Sequence, residues 1–111
     1  MNREKNAFVE FYAPWCTHCQ KFAPEYAAVE RAFNQTCLCL IHLNSRDSII
    51  FARVQADEET ELSHRFDIQS FPTLLYFAMG STDPPEKYKE SREKETVIRW
   101  LNERLGLCNW G

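Results

Sequence analysis

The chain has 111 residues, of which 44% are hydrophobic and 26% are charged, and its formal net charge at pH 7 is −3. This length predicts one domain over residues 1–111, and the composition is ordinary for a globular protein. The slightly acidic charge gives no indication of a nucleic-acid-binding surface, and no apolar run approaches the roughly 18 residues of a membrane span, so neither partner is expected.

The first two predicted elements are a strand and a helix that follow each other closely. Ala7–Tyr12 has the aromatic and β-branched character of a buried strand, and Ala13-Pro14 ends it. A helix is predicted from about Cys16 to Phe33, bent at Pro24 because proline removes a backbone donor. The helix positions predicted to be buried are Phe22, Ala23, Tyr26, Ala27 and Phe33.

The middle of the chain predicts a hairpin and then a short helix. Leu38–Leu43 and Ile49–Gln55 are apolar runs separated by the turn-forming residues 44–48, which is the spacing of a β-hairpin. Asp57 is predicted to cap a helix from Glu58 to Phe66, since it directly precedes acids in the first turn.

The last third of the chain predicts two strands and a helix. Thr73–Met79 is an apolar strand ended by Gly80, and Glu86–Glu90 has the features of a short edge strand. A final amphipathic helix is predicted at Glu93–Leu105, with an apolar stripe of Val97, Ile98, Leu101 and Leu105.

A Cys-x-x-Cys motif, Cys16-Thr17-His18-Cys19, lies where the first strand meets the first helix. The N-terminus of a helix carries partial positive charge and free N–H donors, which stabilise a thiolate. Cys19 lies one turn further along the same helix face, close enough to form a disulfide with Cys16. The motif therefore predicts a redox-active dithiol, with Cys16 as the nucleophile and Cys19 as the resolving thiol.

The segment FVEFYAPWCTHC, together with Phe71-Pro72-Thr73, resembles the thioredoxin superfamily and, within it, the catalytic domains of protein disulfide isomerases. The resemblance extends roughly from Ala7 to Leu105 and departs at Thr17, where those isomerases usually carry glycine. It implies a thioredoxin-like α/β fold, in which helices flank a mixed central sheet. The predicted elements match this fold from its second strand onward, so the usual first strand and helix are expected to be missing.

The resemblance also implies roles for the charged residues around the dithiol. Protonated His18 would favour the thiolate of Cys16 and make the disulfide a better oxidant. Glu10, costly to bury in an apolar strand, matches a proton acceptor for the buried cysteine. Arg53 matches the basic charge partner of that glutamate, which is usually lysine. Arg92 matches a mobile arginine that can approach the active site and lower the pKa of the second thiol.

Four further residues are expected to contact an extended substrate peptide. The Phe71–Pro72 bond would be cis and would face the disulfide, as the resemblance implies. The backbone of Thr73 would then present an unpaired edge to the peptide. Trp15, beside the nucleophile, would supply apolar contact; the alternative for this residue is a buried tryptophan of the core.

Three other functions remain open besides that of a disulfide isomerase, for which cysteine-containing proteins are the expected substrates and no cofactor or metal is expected. A thioredoxin-type general reductase would use the same dithiol. A structural zinc site could use Cys16, Cys19, Cys37 and Cys39, although the first helix would carry Cys37 far from Cys16. A non-catalytic peptide-binding module would require that the Cys-x-x-Cys motif be catalytically inactive.

The missing first strand would leave Ile49–Gln55 as a bare apolar edge, which invites pairing with another strand. We expect Leu38–Leu43 to lie antiparallel to it, or a second copy of the chain to cover it in a dimer. The resemblance implies the endoplasmic reticulum lumen or the secretory pathway, with the cytoplasm as the alternative. MNREKNA is not a signal peptide, and CNWG is not a retention signal.

Overall fold

A computed structural model of the chain describes residues 6–35 and 49–105. Its elements follow one another as β1 (Asn6–Tyr12), α1 (Thr17–Gln35), β2 (Ile49–Gln55), α2 (Thr60–Arg65), β3 (Thr73–Phe77), β4 (Glu86–Lys87) and α3 (Lys94–Leu105). None of the helices in these two ranges has the length and apolar character needed to cross a bilayer.

The four strands form one mixed sheet in the order β2-β1-β3-β4. β1 lies in the centre, parallel to β2 and antiparallel to β3, and β4 pairs antiparallel to β3. The mixed sheet with flanking helices expected from the sequence is thereby confirmed. Because β1 has a neighbour on each side, the segment that leads into the dithiol is held at the centre of the sheet.

The side chains of β1 alternate between two cores, one on each face of the sheet. Phe8 lies in a core with α1 and α3, where the buried residues also include Phe22, Tyr26, Val29, Tyr88, Val97, Trp100 and Leu101. Phe11 lies in a smaller core on the other face, with Ala56, Leu75 and Phe77 and the half-buried side chains of α2. Since Glu10 is two residues from Phe8, it shares the face of the sheet that α1 covers.

The two long helices largely bury the residues that their periodicity indicates. In α1, Phe22, Tyr26 and Phe33 are buried, whereas Ala23 is half-buried and Ala27 is exposed, so the prediction was wrong for Ala27. The helix continues through Pro24. In α3 the buried residues are Val97, Trp100, Leu101 and Leu105, while Ile98 is half-buried. The larger core thus includes Trp100, which was not part of the apolar stripe predicted for this helix.

The predicted cap of the short helix was wrong. α2 begins at Thr60 and its N-cap residue, Glu59, makes no side-chain capping hydrogen bond. The carboxylate of Asp57 instead accepts a hydrogen bond from the indole of Trp15. The later strands are also shorter than predicted, ending at Phe77 in β3 and Lys87 in β4.

Within residues 6–35 and 49–105, β2 pairs with β1 alone and forms one edge of the sheet. Ile50 on this strand is 48% exposed. The predicted partner strand, Leu38–Leu43, lies outside the described residues, and so do Cys37, Cys39 and Cys108. The predicted hairpin or dimer at this edge, and the predicted loss of the first strand and helix, stay predictions.

Candidate active site

The dithiol lies at the junction of β1 and α1, at the carboxyl end of the central strand. The Cys16 N–H donates to the carbonyl of Ala13 at 3.1 Å, and the Gln20 N–H donates to the carbonyl of Cys16 at 3.0 Å. Cys16 therefore precedes the first helical residue, Thr17, and stands at the N-cap of α1. Its sulfur accepts the N–H of Cys19 at 3.2 Å, as the side chain of a capping residue does.

Both sulfur atoms are thiols in this structure, and both are buried. Cys16 is 8% exposed and Cys19 is 2% exposed, and they pack with Ala13. The thiol of Cys16 donates to the carbonyl of Phe71 at 3.6 Å, across 55 residues of sequence. This contact brings the loop before β3 against the N-terminus of α1.

The Phe71–Pro72 peptide bond is cis, as the resemblance implies. Pro72 and Thr73 are buried, and the Thr73 hydroxyl donates to the carbonyl of Ser70 at 2.7 Å. On one side Thr73 pairs with Phe11 in β1, whereas the register between β3 and β4 begins at Leu75. In the described part of the chain, β4 therefore does not extend along β3 as far as Thr73.

Trp15 is exposed at the surface beside the dithiol, so the alternative of a buried core tryptophan was wrong. The residue is 65% exposed. Its Nε1–H donates to Asp57 Oδ2 at 3.0 Å, and its ring meets that of Phe71 edge-on at 5.6 Å. These two contacts fix an exposed aromatic ring next to Cys16. The contact between Asp57 and Trp15 was not predicted from the sequence. The available signal was that Asp57 is a polar residue shortly after β2, which runs parallel to β1 and so ends at the same edge of the sheet.

Glu10 is fully buried under α1 and forms an ion pair with Arg53. The Nε–H of Arg53 donates to Glu10 Oε1 at 3.0 Å, and the Arg53 side chain is 45% exposed. The two residues are directly opposite each other in the register of β1 and β2. Burial raises the pKa of the Glu10 carboxyl, and the hydrogen bond and charge of Arg53 offset part of that rise.

Cys19, which the sequence predicts to be the resolving thiol, is the more deeply buried of the two thiols. Burial, reinforced by the hydrogen bond with Cys16, raises the pKa of Cys19 to about 11. The negative charge of Glu10 acts in the same direction, and a backbone interaction with Ala13 opposes it. Glu10 and Cys19 are thus both buried, and the carboxylate acts electrostatically on the thiol.

His18 and Arg92 are exposed and line the same surface hollow. His18 is exposed in the first turn of α1, where it lines a hollow of about 270 Å³ together with Lys21, Phe22, Glu25, Arg92 and Glu93. Arg92, in the loop between β4 and α3, also lines a hollow of about 370 Å³ beside Pro72. The structure thus brings these two basic residues to one hollow, without a hydrogen bond to either thiol among the described residues.

Two tyrosines of the site were not identified from the sequence. The Tyr26 hydroxyl lies 2.8 Å from the carbonyl oxygen of Phe8 and 2.7 Å from that of Ala52, so it bridges β1 and β2 beneath α1. The guanidinium carbon of Arg53 lies 4.0 Å from the centroid of the Tyr12 ring. For Tyr12 the available signal was its position two residues after Glu10, on the same strand face.

No group of three histidine, cysteine, aspartate or glutamate side chains converges on a candidate metal site within the ranges 6–35 and 49–105. Two of the four thiolates that the zinc alternative requires, Cys37 and Cys39, lie outside those ranges. The two thiols that the structure does describe, Cys16 and Cys19, instead pack with Ala13 and the partly buried rings of Tyr12 and Phe71.

Comparisons with known proteins agree with this architecture. The family model described as thioredoxin matches residues 1–103. A protein disulfide isomerase-like 1-4 of Arabidopsis thaliana is 40% identical over 105 residues, which cover 93% of this chain and 15% of the relative. The protein disulfide-isomerase tigA of Aspergillus niger is 38% identical over 103 residues, covering 93% of this chain and 26% of the relative.

Among solved structures, the first thioredoxin domain of mouse protein disulfide-isomerase A4 superimposes with a TM-score of 0.70 at 28% identity. The match covers 90% of this chain and 63% of the mouse chain. The chain thus spans 15% to 26% of the length of the two curated relatives named above. The likeness concerns one domain of longer proteins.

Proposed function

The chain belongs to the thioredoxin family, and from this premise we propose that it is a thiol-disulfide oxidoreductase and isomerase acting on protein cysteines through Cys16 and Cys19. One observation carries the proposal: the Cys16 sulfur caps α1 by accepting the Cys19 N–H at 3.2 Å. Helix N-termini stabilise thiolates, and the thiolate is the attacking species in disulfide exchange. The half-buried ring of Phe71 packs against the cluster that contains this sulfur, and the exposed ring of Trp15 meets the Phe71 ring edge-on.

The proposed reaction consists of two exchanges of sulfur partners. The Cys16 thiolate attacks one sulfur of a substrate disulfide, and the other substrate sulfur leaves as a thiolate that takes up a proton. The Cys19 thiol then loses its proton and attacks Cys16, which forms the Cys16–Cys19 disulfide and releases the reduced substrate. The reverse sequence oxidises a substrate dithiol, and attack of a second substrate thiolate on the mixed disulfide isomerises the substrate.

Glu10 is the proposed proton acceptor for Cys19. The raised pKa of Cys19 leaves this thiol protonated at neutral pH, so its attack requires a base within the site. Glu10 is fully buried and acts electrostatically on Cys19, and its Oε2 atom has no hydrogen-bond partner among the described residues. Burial also raises the pKa of Glu10, which makes the carboxylate a stronger base than one in water.

Glu10→Gln is expected to slow the resolving step about a hundredfold, at the lower end of what proton transfer by a positioned group contributes. The amide cannot take up the proton of Cys19, yet its carbonyl can still accept the Arg53 hydrogen bond. The measurement is the pH dependence of turnover. The wild-type rate should rise as Glu10 ionises, and the variant should lose that limb; a variant profile identical to the wild-type profile would contradict the role of Glu10.

Stability provides an independent check on the same variant. A carboxyl whose pKa is higher in the folded than in the unfolded chain binds its proton more tightly when folded, so stability falls as pH rises through the folded-state pKa. The glutamine variant lacks this titration. It should therefore be more stable than the wild type at pH 7 in urea denaturation, and the difference should disappear below about pH 4.

The remaining residues are proposed to act on the substrate and on the charge of the thiolate. Trp15, Phe71, Pro72 and Thr73 would contact an extended peptide in front of Cys16. His18 and Arg92 would supply positive charge from the hollow they share. No cofactor takes part in the proposed reaction, and we propose an oxidising compartment such as the endoplasmic reticulum lumen, where disulfides persist.

Purified protein tests the proposal directly. The domain should accelerate both the reduction of insulin disulfides by a thiol donor and the reactivation of a protein with scrambled disulfides, and prior alkylation should abolish both effects. A rate equal to that of alkylated protein in both assays would overturn the proposal. The reduction potential then separates an isomerase from a general reductase, for which typical values are about −180 mV and about −270 mV.

A further inference from the structure

Arg53 makes two contacts at once with residues of β1. Its Nε–H donates to Glu10 Oε1 at 3.0 Å, while its guanidinium carbon lies 4.0 Å from the centroid of the Tyr12 ring. A planar guanidinium stacks well on an aromatic face, and such a contact orients the group as well as attracting it. Because the Arg53 side chain is 45% exposed, the ring restrains a group that could otherwise extend into water.

The strand geometry explains why these three side chains meet. Glu10 and Tyr12 are two residues apart on β1 and so project from the same face of the sheet. Arg53 is directly opposite Glu10 in the parallel pair, and Gln55 is opposite Tyr12. A long arginine side chain beside Glu10 can therefore reach the ring that follows along the neighbouring strand.

The Tyr12 side chain also contacts the cluster that holds the dithiol. Tyr12 is half-buried and packs against the cluster of Ala13, Cys16 and Cys19. The Tyr12 side chain thus contacts both the cluster that holds the dithiol and the guanidinium of Arg53.

We infer that Tyr12 is a positioning residue for the transfer of a proton between Cys19 and Glu10. Its ring holds the Arg53 guanidinium so that Nε bonds to Glu10 Oε1 alone, while Oε2 is left to take up the proton. Glu10 Oε2 is buried and has no hydrogen-bond partner in the described part of the chain. The inference rests on the proposed function, because it assigns a role within the resolving step.

The step balances in protons and electrons. The Cys19 proton passes to Glu10, and the Cys19 thiolate attacks the Cys16 sulfur of the mixed disulfide. The bond between Cys16 and the substrate sulfur breaks as the Cys16–Cys19 bond forms, and the substrate sulfur leaves with the electron pair. That thiolate takes up a proton from solvent, and Glu10 returns its own proton to solvent.

The charged and titratable groups around Glu10 determine the direction of the effect. Arg53 faces it from β2, and Cys19 and Tyr26 are electrostatically coupled to it from α1. Its neighbour on β3, Leu74, does not titrate. Among the residues that the structure describes, Arg53 alone stabilises the carboxylate, so removal of the ring that restrains Arg53 should raise the pKa of Glu10 further.

The experiment compares Tyr12→Leu with Tyr12→Phe in the full, reduced chain. The 13C shift of the Glu10 carboxyl reports its titration, and the pH profile reports turnover. In Tyr12→Leu the titration should move to higher pH, and turnover on the acidic limb should fall about two- to fivefold, the effect of one cation–π contact. Tyr12→Phe keeps the ring, so its Glu10 titration should match that of the wild type.

Two results would overturn the inference. One is a Glu10 titration that does not move in folded Tyr12→Leu. The other is that Tyr12→Leu moves the Glu10 titration by the same amount in an Arg53→Met background as in the wild-type background. The ring would then act independently of the arginine. If circular dichroism shows that Tyr12→Leu does not fold, Arg53→Lys replaces it, since lysine keeps the charge and loses the planar face. Its Glu10 titration should also move to higher pH, and an unmoved titration would again overturn the inference.

The two readouts separate this inference from the proposed function. A wild-type chain without turnover would overturn the proposed function and, with it, the role of Tyr12 in proton transfer. A normal turnover with an unmoved Glu10 titration in the variants would overturn only the inference about Tyr12.

Discussion

Cys16→Ser is expected to reduce disulfide exchange to the uncatalysed level, a loss of roughly a thousandfold or more in turnover. A serine hydroxyl remains protonated at neutral pH and cannot attack a disulfide as a thiolate does. Serine is nevertheless a good N-cap residue, so it can accept the Cys19 N–H as the sulfur does. The fold should therefore survive, and circular dichroism with urea denaturation checks this in the same samples.

Cys19→Ser is the matched control, because it leaves the nucleophile in place and removes only the resolving thiol. This variant should form the mixed disulfide with substrate but release it slowly. Non-reducing electrophoresis should therefore show a covalent complex with Cys19→Ser and none with Cys16→Ser. The three other cysteines, Cys37, Cys39 and Cys108, remain in both variants. Full turnover by Cys16→Ser would mean that one of these three carries the reaction.

Phe8→Ala is expected to cost about 3–5 kcal/mol of folding stability, the usual range for truncating a buried aromatic side chain. Phe8 is fully buried on the central strand. Its ring centroid lies 6.0–6.2 Å from those of Tyr26, Phe51, Tyr88 and Trp100. The cavity would thus open between the sheet and both long helices. Since domains of this size are stable by about 5–15 kcal/mol in total, the variant should be largely destabilised at 37 °C.

Urea denaturation under reducing conditions measures this loss, and two substitutions calibrate it. Phe8→Leu keeps most of the volume and should cost less than about 1.5 kcal/mol. Ile50→Ala, at a residue that is 48% exposed on β2, should change stability by less than about 0.5 kcal/mol. Similar losses for Phe8→Ala and Ile50→Ala would show that the aromatic core does not dominate the stability of the domain.

The sequence alone determined the features that depend on neighbours along the chain. The junction of β1 and α1, with Cys16 and Cys19 one helical turn apart, follows from a β-branched and aromatic run that changes to a 3.6-residue period. The burial of Glu10 also followed, because a residue in the middle of an apolar central strand shares its faces with the core. The predicted start of α3, Glu93, is one residue from the observed start at Lys94, because the helical period of its apolar residues is also a local feature.

Only the tertiary structure decided the contacts that join distant parts of the chain. The indole of Trp15 donates a hydrogen bond to Asp57 across 42 residues of sequence. The Asp57 carboxylate therefore binds this indole rather than the N-terminus of α2, which it was predicted to cap. A capping carboxylate accepts a backbone N–H, and another donor nearby in space can bind the same carboxylate; sequence spacing does not reveal that donor. The stacking of Arg53 on Tyr12 depends likewise on the register between β1 and β2, which pairing of the two strands sets. Local periodicity specifies which face a side chain occupies, whereas its partner on that face is specified only when the elements pack.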